Sequence, residues 1–133
     1  MKLVKRALST KKTVLLCANA ALEKKARNIV ILNVKKLSSI ADYLMICSGG
    51  SDRQVQAIAA SIGENLKKAK IIPFGMEGDR IGKWVLIDCG DVVIHVFFEP
   101  VREFYDLERL WPDVPRMEIG EDVTEIASLR RGM

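Results

Sequence analysis

The sequence predicts an α/β protein with a single domain, in which helices flank a mixed central sheet. Two apolar, β-branched segments on either side of Gly90-Asp91 indicate a β-hairpin over residues 83–98. Apolar residues at helical spacing indicate an amphipathic helix over residues 52–69. Short apolar runs at residues 29–34 and 42–48 indicate buried strands. Helices and strands in this order pack as an α/β sandwich.

The N-terminal third supplies one helix and these two strands. Residues 1–12 are basic and polar, and they are predicted as a leader without regular structure. Thr13 can cap a helix that is rich in Ala, Leu, Lys and Glu and that ends at Asn28. The two strands follow this helix.

A capping motif begins the second helix. Gly49-Gly50 interrupts the preceding strand, and Ser51 with Gln54 three residues later forms a capping box. A short strand and then a glycine-rich loop at residues 77–82 are predicted after this helix. The apolar face of the helix consists of Val55, Ile58, Ala59, Ile62 and Leu66.

The hairpin register follows from its turn, since Gly90 at the first central position fits a type II′ turn. One face is apolar and is expected to point into the core. It pairs Cys89 with Val92, Ile87 with Ile94 and Val85 with Val96. The other face pairs Asp88 with Val93, Leu86 with His95 and Trp84 with Phe97. Because this face is mixed, either the protein's own helices cover it or a partner binds it.

The C-terminal part begins with Pro100, which suits the first turn of a helix. Residues 102–110 are helical by composition, and Trp111-Pro112 ends that helix. Residues 113–133 show no clear element. The predicted organisation is a basic leader at residues 1–12, a folded domain at residues 13–113 and a C-terminal tail at residues 114–133.

Composition limits the class of protein. The chain has 133 residues, of which 49% are hydrophobic and 29% charged, which suits one domain with its own core. No apolar run has the length of a membrane span. The apolar run near the N-terminus is followed at once by charged residues, so a cytoplasmic protein is predicted. Its three cysteines lack a Cys-x-x-Cys spacing and there is one histidine, so neither a disulfide framework nor a metal cofactor is expected.

The charge is distributed unevenly along the chain. Residues 1–36 carry ten basic residues and one acid, a net charge of +9, and the remainder carries −5, which together give the overall +4. The basic third favours an RNA-rich environment, although a solvated helix face explains the same residues. An RNA-binding adaptor therefore stays an alternative function.

Gly49-Gly50-Ser51 before a helix is the most enzyme-like motif. Backbone N–H groups at such a point can cradle a phosphate, and the arrangement resembles the start of a nucleotidyltransferase domain. That chemistry also needs two carboxylates, one residue apart on a strand, to hold Mg²⁺. Asp88 could be the first of these carboxylates, but Gly90 stands where the second is needed. Glu77 and Asp79 have the right spacing, but they lie in a glycine-rich loop and not on a strand. A metal-dependent nucleotidyltransferase is thus the disfavoured alternative.

His95 has no catalytic partner in the predicted hairpin, because Cys89 points to the opposite face. A structural histidine beside Asp88 or Asp91 is the simpler interpretation. The other interpretation is that His95 contacts a binding partner.

Four aromatic residues in the last part of the folded domain have the chemistry of interface anchors. They are Trp84, Phe97, Tyr105 and Trp111. The acids Glu103, Asp106 and Glu108 surround the last two. Aromatic anchors among acids fit a basic protein surface, where charge sets orientation and association rate.

Several separated blocks, in order, resemble the ribosomal silencing factor family, also called Iojap-like. The resemblance covers residues 13–113. The blocks are Asp42-Tyr43 with Ile46-Cys47-Ser48-Gly49, Arg53-Gln54-Val55, Glu77-Gly78, WVLID at residues 84–88 with GDVVIHVF at residues 90–97, and REFYDLERLW at residues 102–111.

This resemblance implies a nucleotidyltransferase-like topology without catalytic activity. It implies a translational repressor that binds the large ribosomal subunit through ribosomal protein number fourteen, with a contact to ribosomal RNA, and blocks joining of the small subunit. It also implies a homodimer when free, with no membrane partner. The residues that match the family's contact positions are Trp84, Asp88, Asp91, His95, Arg102, Tyr105, Leu107 and Trp111.

Overall fold

A computed structural model describes the backbone of residues 2–119 and the side chains of residues 10–119. The helices are α1 (Lys2–Glu23), α2 (Asp52–Lys68), α3 (Glu99–Tyr105) and a 3₁₀ helix at Leu107–Leu110. The strands are β1 (Arg27–Asn33), β2 (Tyr43–Gly49), β3 (Gly75–Glu77), β4 (Trp84–Asp88), β5 (Val92–Phe98) and β6 (Arg116–Ile119). Most of the predicted tail, residues 120–133, lies outside the described residues.

The strands form one mixed sheet in the order β3-β4-β5-β2-β1-β6. β2 and β5 pair in parallel at its centre, and every other neighbouring pair is antiparallel. The predicted fold class, a single α/β domain with a mixed sheet flanked by helices, is confirmed.

The long helices α1 and α2 cover one face of the sheet. The predicted apolar face of α2 is buried as expected and packs against α1 and the strands. Ser51 caps α2, since its Oγ accepts from the Gln54 N–H at 3.0 Å. On the apolar face of the hairpin, Val85, Ile87 and Ile94 are fully buried beneath these helices, whereas Cys89 near the turn is half-buried.

The short helices cover the other face of the sheet. Its centre holds a second buried cluster that includes Leu32, Ile46 and Phe97. Val101 in α3, Leu107 in the 3₁₀ helix and Trp111 at its end pack against this cluster. The mixed face of the hairpin is therefore partly covered by the protein itself.

The hairpin register is confirmed, from Trp84 opposite Phe97 to Asp88 opposite Val93. Gly90 has a φ of 84°, as a glycine at the first central position requires. The Asp91 N–H donates to the Cys89 carbonyl across Gly90 at 3.1 Å. This bond spans three residues, so the turn is tighter than an ordinary two-residue hairpin turn.

Several element boundaries were predicted wrongly. Helix α1 begins at Lys2, so residues 2–12 form its first half and Thr13 is an interior, buried residue instead of a cap. Good helix formers among the basic residues explain this continuation. The short strand β3 falls within Gly75–Glu77, at the edge of the predicted loop, where pairing with β4 orders it.

The C-terminal helix is also divided. α3 ends at Tyr105 because Asp106 adopts a left-handed conformation with φ of 45°, and a 3₁₀ helix follows. The strand β6 was missed, since it is only four residues long and pairs with the distant β1.

Candidate functional site

Five rings form an aromatic cluster where β4 begins and β5 ends. The Trp84 ring lies 4.8 Å from Phe97, 4.9 Å from Tyr105 and 5.9 Å from His95, measured between centroids. Phe104 adds an edge contact with Tyr105 at 5.0 Å. Cross-strand pairing places the first three residues together, and α3 folds back to add the last two. The cluster is Trp84, His95, Phe97, Phe104 and Tyr105.

The members of the aromatic cluster differ in exposure. Phe104 is 79% exposed and Tyr105 is 51% exposed, whereas Trp84 is half-buried. Phe97 is fully buried beneath Trp84, so the prediction that it forms the surface was wrong. Strand alternation correctly predicts the face of the sheet on which Phe97 lies, but α3 and the 3₁₀ helix cover that part of the face.

A hydrogen bond fixes the orientation of Trp84. Its Nε1–H donates to His95 Nδ1 at 2.9 Å. Because Nδ1 accepts, a neutral His95 carries its proton on Nε2. The sequence interpretation that Asp88 or Asp91 satisfies this histidine is replaced by the Trp84 partner. Burial lowers the pKa of His95 from 6.5 to about 4.

This low pKa predicts an acid-dependent loss of stability. The folded state favours neutral His95, so its contribution is fully present above pH 6.5 and is lost as the pH falls towards 4. We expect the histidine to account for about 2 kcal/mol of the unfolding free energy lost between pH 7 and pH 4.5. Urea denaturation of wild type and His95→Gln measures it, since Gln retains an acceptor but does not titrate. Equal pH dependence in both proteins contradicts the prediction.

Arg102 connects three elements behind the aromatic cluster. Its Nη1 donates to the Asn28 carbonyl at 2.7 Å and to Ser48 Oγ at 2.8 Å, and its Nη2 lies 2.6 Å from Glu108. Arg102 is only 9% exposed. Little of its surface is therefore open to a partner, and it holds the 3₁₀ helix against β1 and β2.

The acids near α3 divide into two groups. Burial alone would raise the pKa of Glu108, but the hydrogen bond and charge of Arg102 hold it below its ordinary value. Glu108 is thus engaged within the domain. Glu103 and Asp106 are exposed, and Asp106 has only a loose contact of 3.6 Å with Arg109. These two carboxylates point to solvent beside Tyr105.

The C-terminal side of the cluster adds both predicted and unpredicted residues. Leu107 and Trp111 are half-buried at its edge and pack against the second buried cluster. Leu110 is 66% exposed and was not predicted, nor was Phe104. An apolar residue among charged neighbours in a short helix is the only sequence signal for these two.

Asp88 and Asp91 lie apart from the aromatic cluster, at the turn end of the hairpin. Asp88 lies four positions along β4 from Trp84, which is a distance of about 13 Å in an extended strand. Asp88 Oδ1 accepts from the Gly90 N–H at 2.8 Å, and Asp91 is exposed. The predicted contact residues therefore do not form one compact group.

The Gly49-Gly50-Ser51 motif is occupied by capping contacts. The Gly50 N–H donates to Gln54 Oε1 at 2.7 Å, and a Cβ at Gly50 would lie 2.8 Å from the Arg27 guanidinium. Two N–H groups at this helix start, those of Gly50 and Gln54, are thus used within the domain, and the Arg27 side chain fills the space beside Gly50. Among residues 10–119, no group of three or more His, Cys, Asp and Glu side chains is placed to hold a metal ion.

The cysteines lack the features of reactive thiols. Burial raises the pKa of Cys17, and it raises that of Cys47 to about 12. Burial, and then the charge of Asp88, raise the pKa of Cys89 to about 11. Thiolates at neutral pH are therefore disfavoured at all three. In the described part of the chain, no helix has the length and apolar character to cross a bilayer.

Several known proteins are similar to this chain in sequence and in fold. A family model described as "Ribosomal silencing factor during starvation" matches residues 7–131. The chain is 44% identical over 112 residues to "Ribosomal silencing factor RsfS" of Halalkalibacterium halodurans, covering 84% of this chain and 96% of that protein. It is 33% identical over 92 residues to mouse "Mitochondrial assembly of ribosomal large subunit protein 1", covering 67% of this chain and 40% of the mouse protein. A crystal structure from Chromobacterium violaceum superposes with a TM-score of 0.75 at 39% identity, covering 77% of this chain and 85% of that chain.

Proposed function

Because the chain belongs to the ribosomal silencing factor family, we propose that it represses translation by binding the large ribosomal subunit on its inter-subunit face. The partner is ribosomal protein number fourteen, with an adjoining contact to ribosomal RNA. The bound domain occupies space that the small subunit needs, so the mechanism is steric. The protein acts in the cytoplasm, without cofactor or catalysis, and forms a homodimer when free.

The observation that carries this proposal is the exposed part of the aromatic cluster. Tyr105 beside the half-buried Trp84, Phe104 beside Tyr105, and Leu110 in the following 3₁₀ helix present large apolar surfaces to solvent. Aromatic residues in such a patch are the usual anchors of protein interfaces. The hydrogen bond from Trp84 to His95 holds the indole in one orientation before binding, which reduces the entropy lost on association.

The charge around this patch favours a basic partner. Glu103 and Asp106 are exposed beside Tyr105, and no strong ion pair in the described structure engages them. Carboxylates at the rim of an apolar patch steer a basic surface into place and affect the association rate more than the affinity. Glu108 supports this surface indirectly, through Arg102.

Truncating the central anchor tests the proposal. We expect Trp84→Ala to weaken binding to large subunits by about 2 kcal/mol or more, which is roughly thirtyfold, because anchor truncations have effects of this size. Co-sedimentation with purified large subunits measures the change. Ile81→Ala is the matched control, since Ile81 is 67% exposed in the loop before β4 and lies outside the aromatic cluster. Binding equal to wild type by a folded Trp84→Ala protein rejects the anchor role.

A further inference from the structure

The end of the sheet opposite the aromatic cluster carries a second exposed apolar surface. The β1–β2 loop, the segment after α2 and the β4–β5 turn meet there, because the Asp42 N–H donates to the Asp91 carbonyl and the Phe74 N–H donates to the Asp88 carbonyl. Four large apolar side chains are mostly exposed in these segments: Leu37, Ile40, Ile72 and Phe74. Single exposed apolar residues are common, but four at one end of a small domain indicate a binding surface.

Lysines surround these apolar side chains. Two come from the β1–β2 loop, two from the last turn of α2 and one from the segment after it: Lys35, Lys36, Lys67, Lys68 and Lys70. All five are exposed, and none makes an ion pair within the described residues. The opposing carboxylates at this end are the half-buried Asp42 and Asp88 and the exposed Asp91, with Glu64 one turn earlier on α2, so the five lysines exceed the four carboxylates. This lysine end, defined by the four apolar residues and the five lysines, is therefore positive.

A cavity of about 460 Å³ opens between α1, the segment after α2 and the hairpin turn. Its lining includes Lys70, Ile72, Phe74 and Asp91. The Phe74 ring rests on the turn, since a Cβ at Gly90 would lie 2.9 Å from its Cε2, yet the residue is 81% exposed. The backbone of the turn thus supports an aromatic ring whose remaining surface faces solvent at the mouth of the cavity.

We propose that the lysine end binds single-stranded RNA. Its lysines contact backbone phosphates, and one unstacked base packs on Phe74 at the mouth of the cavity. Proteins that hold single strands combine a positive track with aromatic platforms in this way. A concave pocket between separated apolar residues suits a splayed base better than a flat lipid surface. This inference goes beyond the docking proposed above, since it uses different residues at the other end of the sheet.

Fluorescence anisotropy with a labelled twelve-nucleotide oligouridylate tests the proposal on the full chain without ribosomes. We expect Phe74→Ala to weaken binding about tenfold, because stacking on an aromatic side chain contributes that much per base. Phe104→Ala is the matched control, since Phe104 is equally exposed but belongs to the aromatic cluster. Circular dichroism confirms that each variant is folded.

The electrostatic part has a separate readout, the slope of log Kd against log salt. Changing Lys36, Lys67 and Lys68 together to Gln is expected to reduce this slope by about 2, because each single-strand phosphate that a lysine neutralises adds roughly 0.7 to it. A charge-matched control changes Lys24, Arg53 and Arg80 to Gln near the other end of α2, and its slope is expected to stay near that of wild type.

Three results overturn the proposal. The first is no binding of the oligonucleotide at 50 mM salt. The second is equal weakening by Phe74→Ala and Phe104→Ala, or equal slopes for the two triple variants. The third is Phe74-dependent binding to phosphatidylserine vesicles without RNA binding, which assigns the surface to lipid. Because no ribosomal protein is present, these results are independent of the docking proposed for Trp84.

Discussion

A Phe97→Ala variant is expected to lose about 3–5 kcal/mol of unfolding free energy, the usual cost of truncating a buried phenylalanine. Phe97 is fully buried at the centre of the second cluster, against β1, β2 and the underside of Trp84. Its removal leaves a cavity that β2 and β5 cannot close, because both strands are fixed in the centre of the sheet. Urea denaturation of the purified protein measures the loss.

Phe104→Ala is the matched control for this experiment. It removes the same side chain from a position that is 79% exposed, so we expect a change within about 0.5 kcal/mol. A loss below 1 kcal/mol for Phe97→Ala contradicts the burial of this ring. Such a small loss agrees instead with an exposed Phe97 on the docking surface, as the sequence suggested.

An Arg102→Ala variant is expected to lose about 3 kcal/mol, because it leaves a half-buried carboxylate and a buried hydroxyl without their partner. The change leaves Glu108 without its cation, and it leaves the Asn28 carbonyl and Ser48 Oγ without their shared donor. Thermal or urea unfolding measures the effect. Large-subunit binding by the remaining folded protein is expected to weaken too, because Arg102 positions the 3₁₀ helix.

Two further variants distinguish the cost of losing an ion pair from the cost of leaving one of its charges without a partner. Arg109→Ala removes an exposed arginine whose nearest acid, Asp106, lies 3.6 Å away, and it is expected to cost less than about 1 kcal/mol. Arg102→Leu combined with Glu108→Leu removes both charges of the pair and is expected to recover part of the loss. Equal stability of Arg102→Ala and wild type contradicts the assignment of Arg102 as a buried link.

Local signals explain which parts of the fold the sequence predicts. The hairpin register depends on strand alternation and one glycine, both within a few residues, and it is confirmed. The buried face of α2 and its Ser51 cap depend on spacing within one helix, and they are confirmed too. The strand β6 has only two apolar residues and forms because β1 offers an open edge, which no local pattern reveals.

The candidate site shows the same division. Alternation places Trp84, His95 and Phe97 on one face correctly, because that follows from the hairpin alone. Whether Phe97 is exposed depends on α3 folding back over the sheet, and this is a non-local contact. The partners of Arg102 come from residues across the fold, so sequence spacing does not identify them. The partner of His95 is Trp84 in the same hairpin, where alternation predicts the shared face but not the hydrogen bond.

The parallel pair at the centre of the sheet sets the order in which a newly made chain can fold. Residues 43–49 pair with residues 92–98, so the whole of α2, β3 and β4 is synthesised between the two strands. Closing so long a loop is slow, and it comes after the local hairpins have formed. During synthesis, the apolar β1–β2 pair therefore waits without its central neighbour until nearly one hundred residues have left the ribosome. Until β5 arrives, the apolar surface of this pair is exposed, and this is the condition under which folding intermediates aggregate.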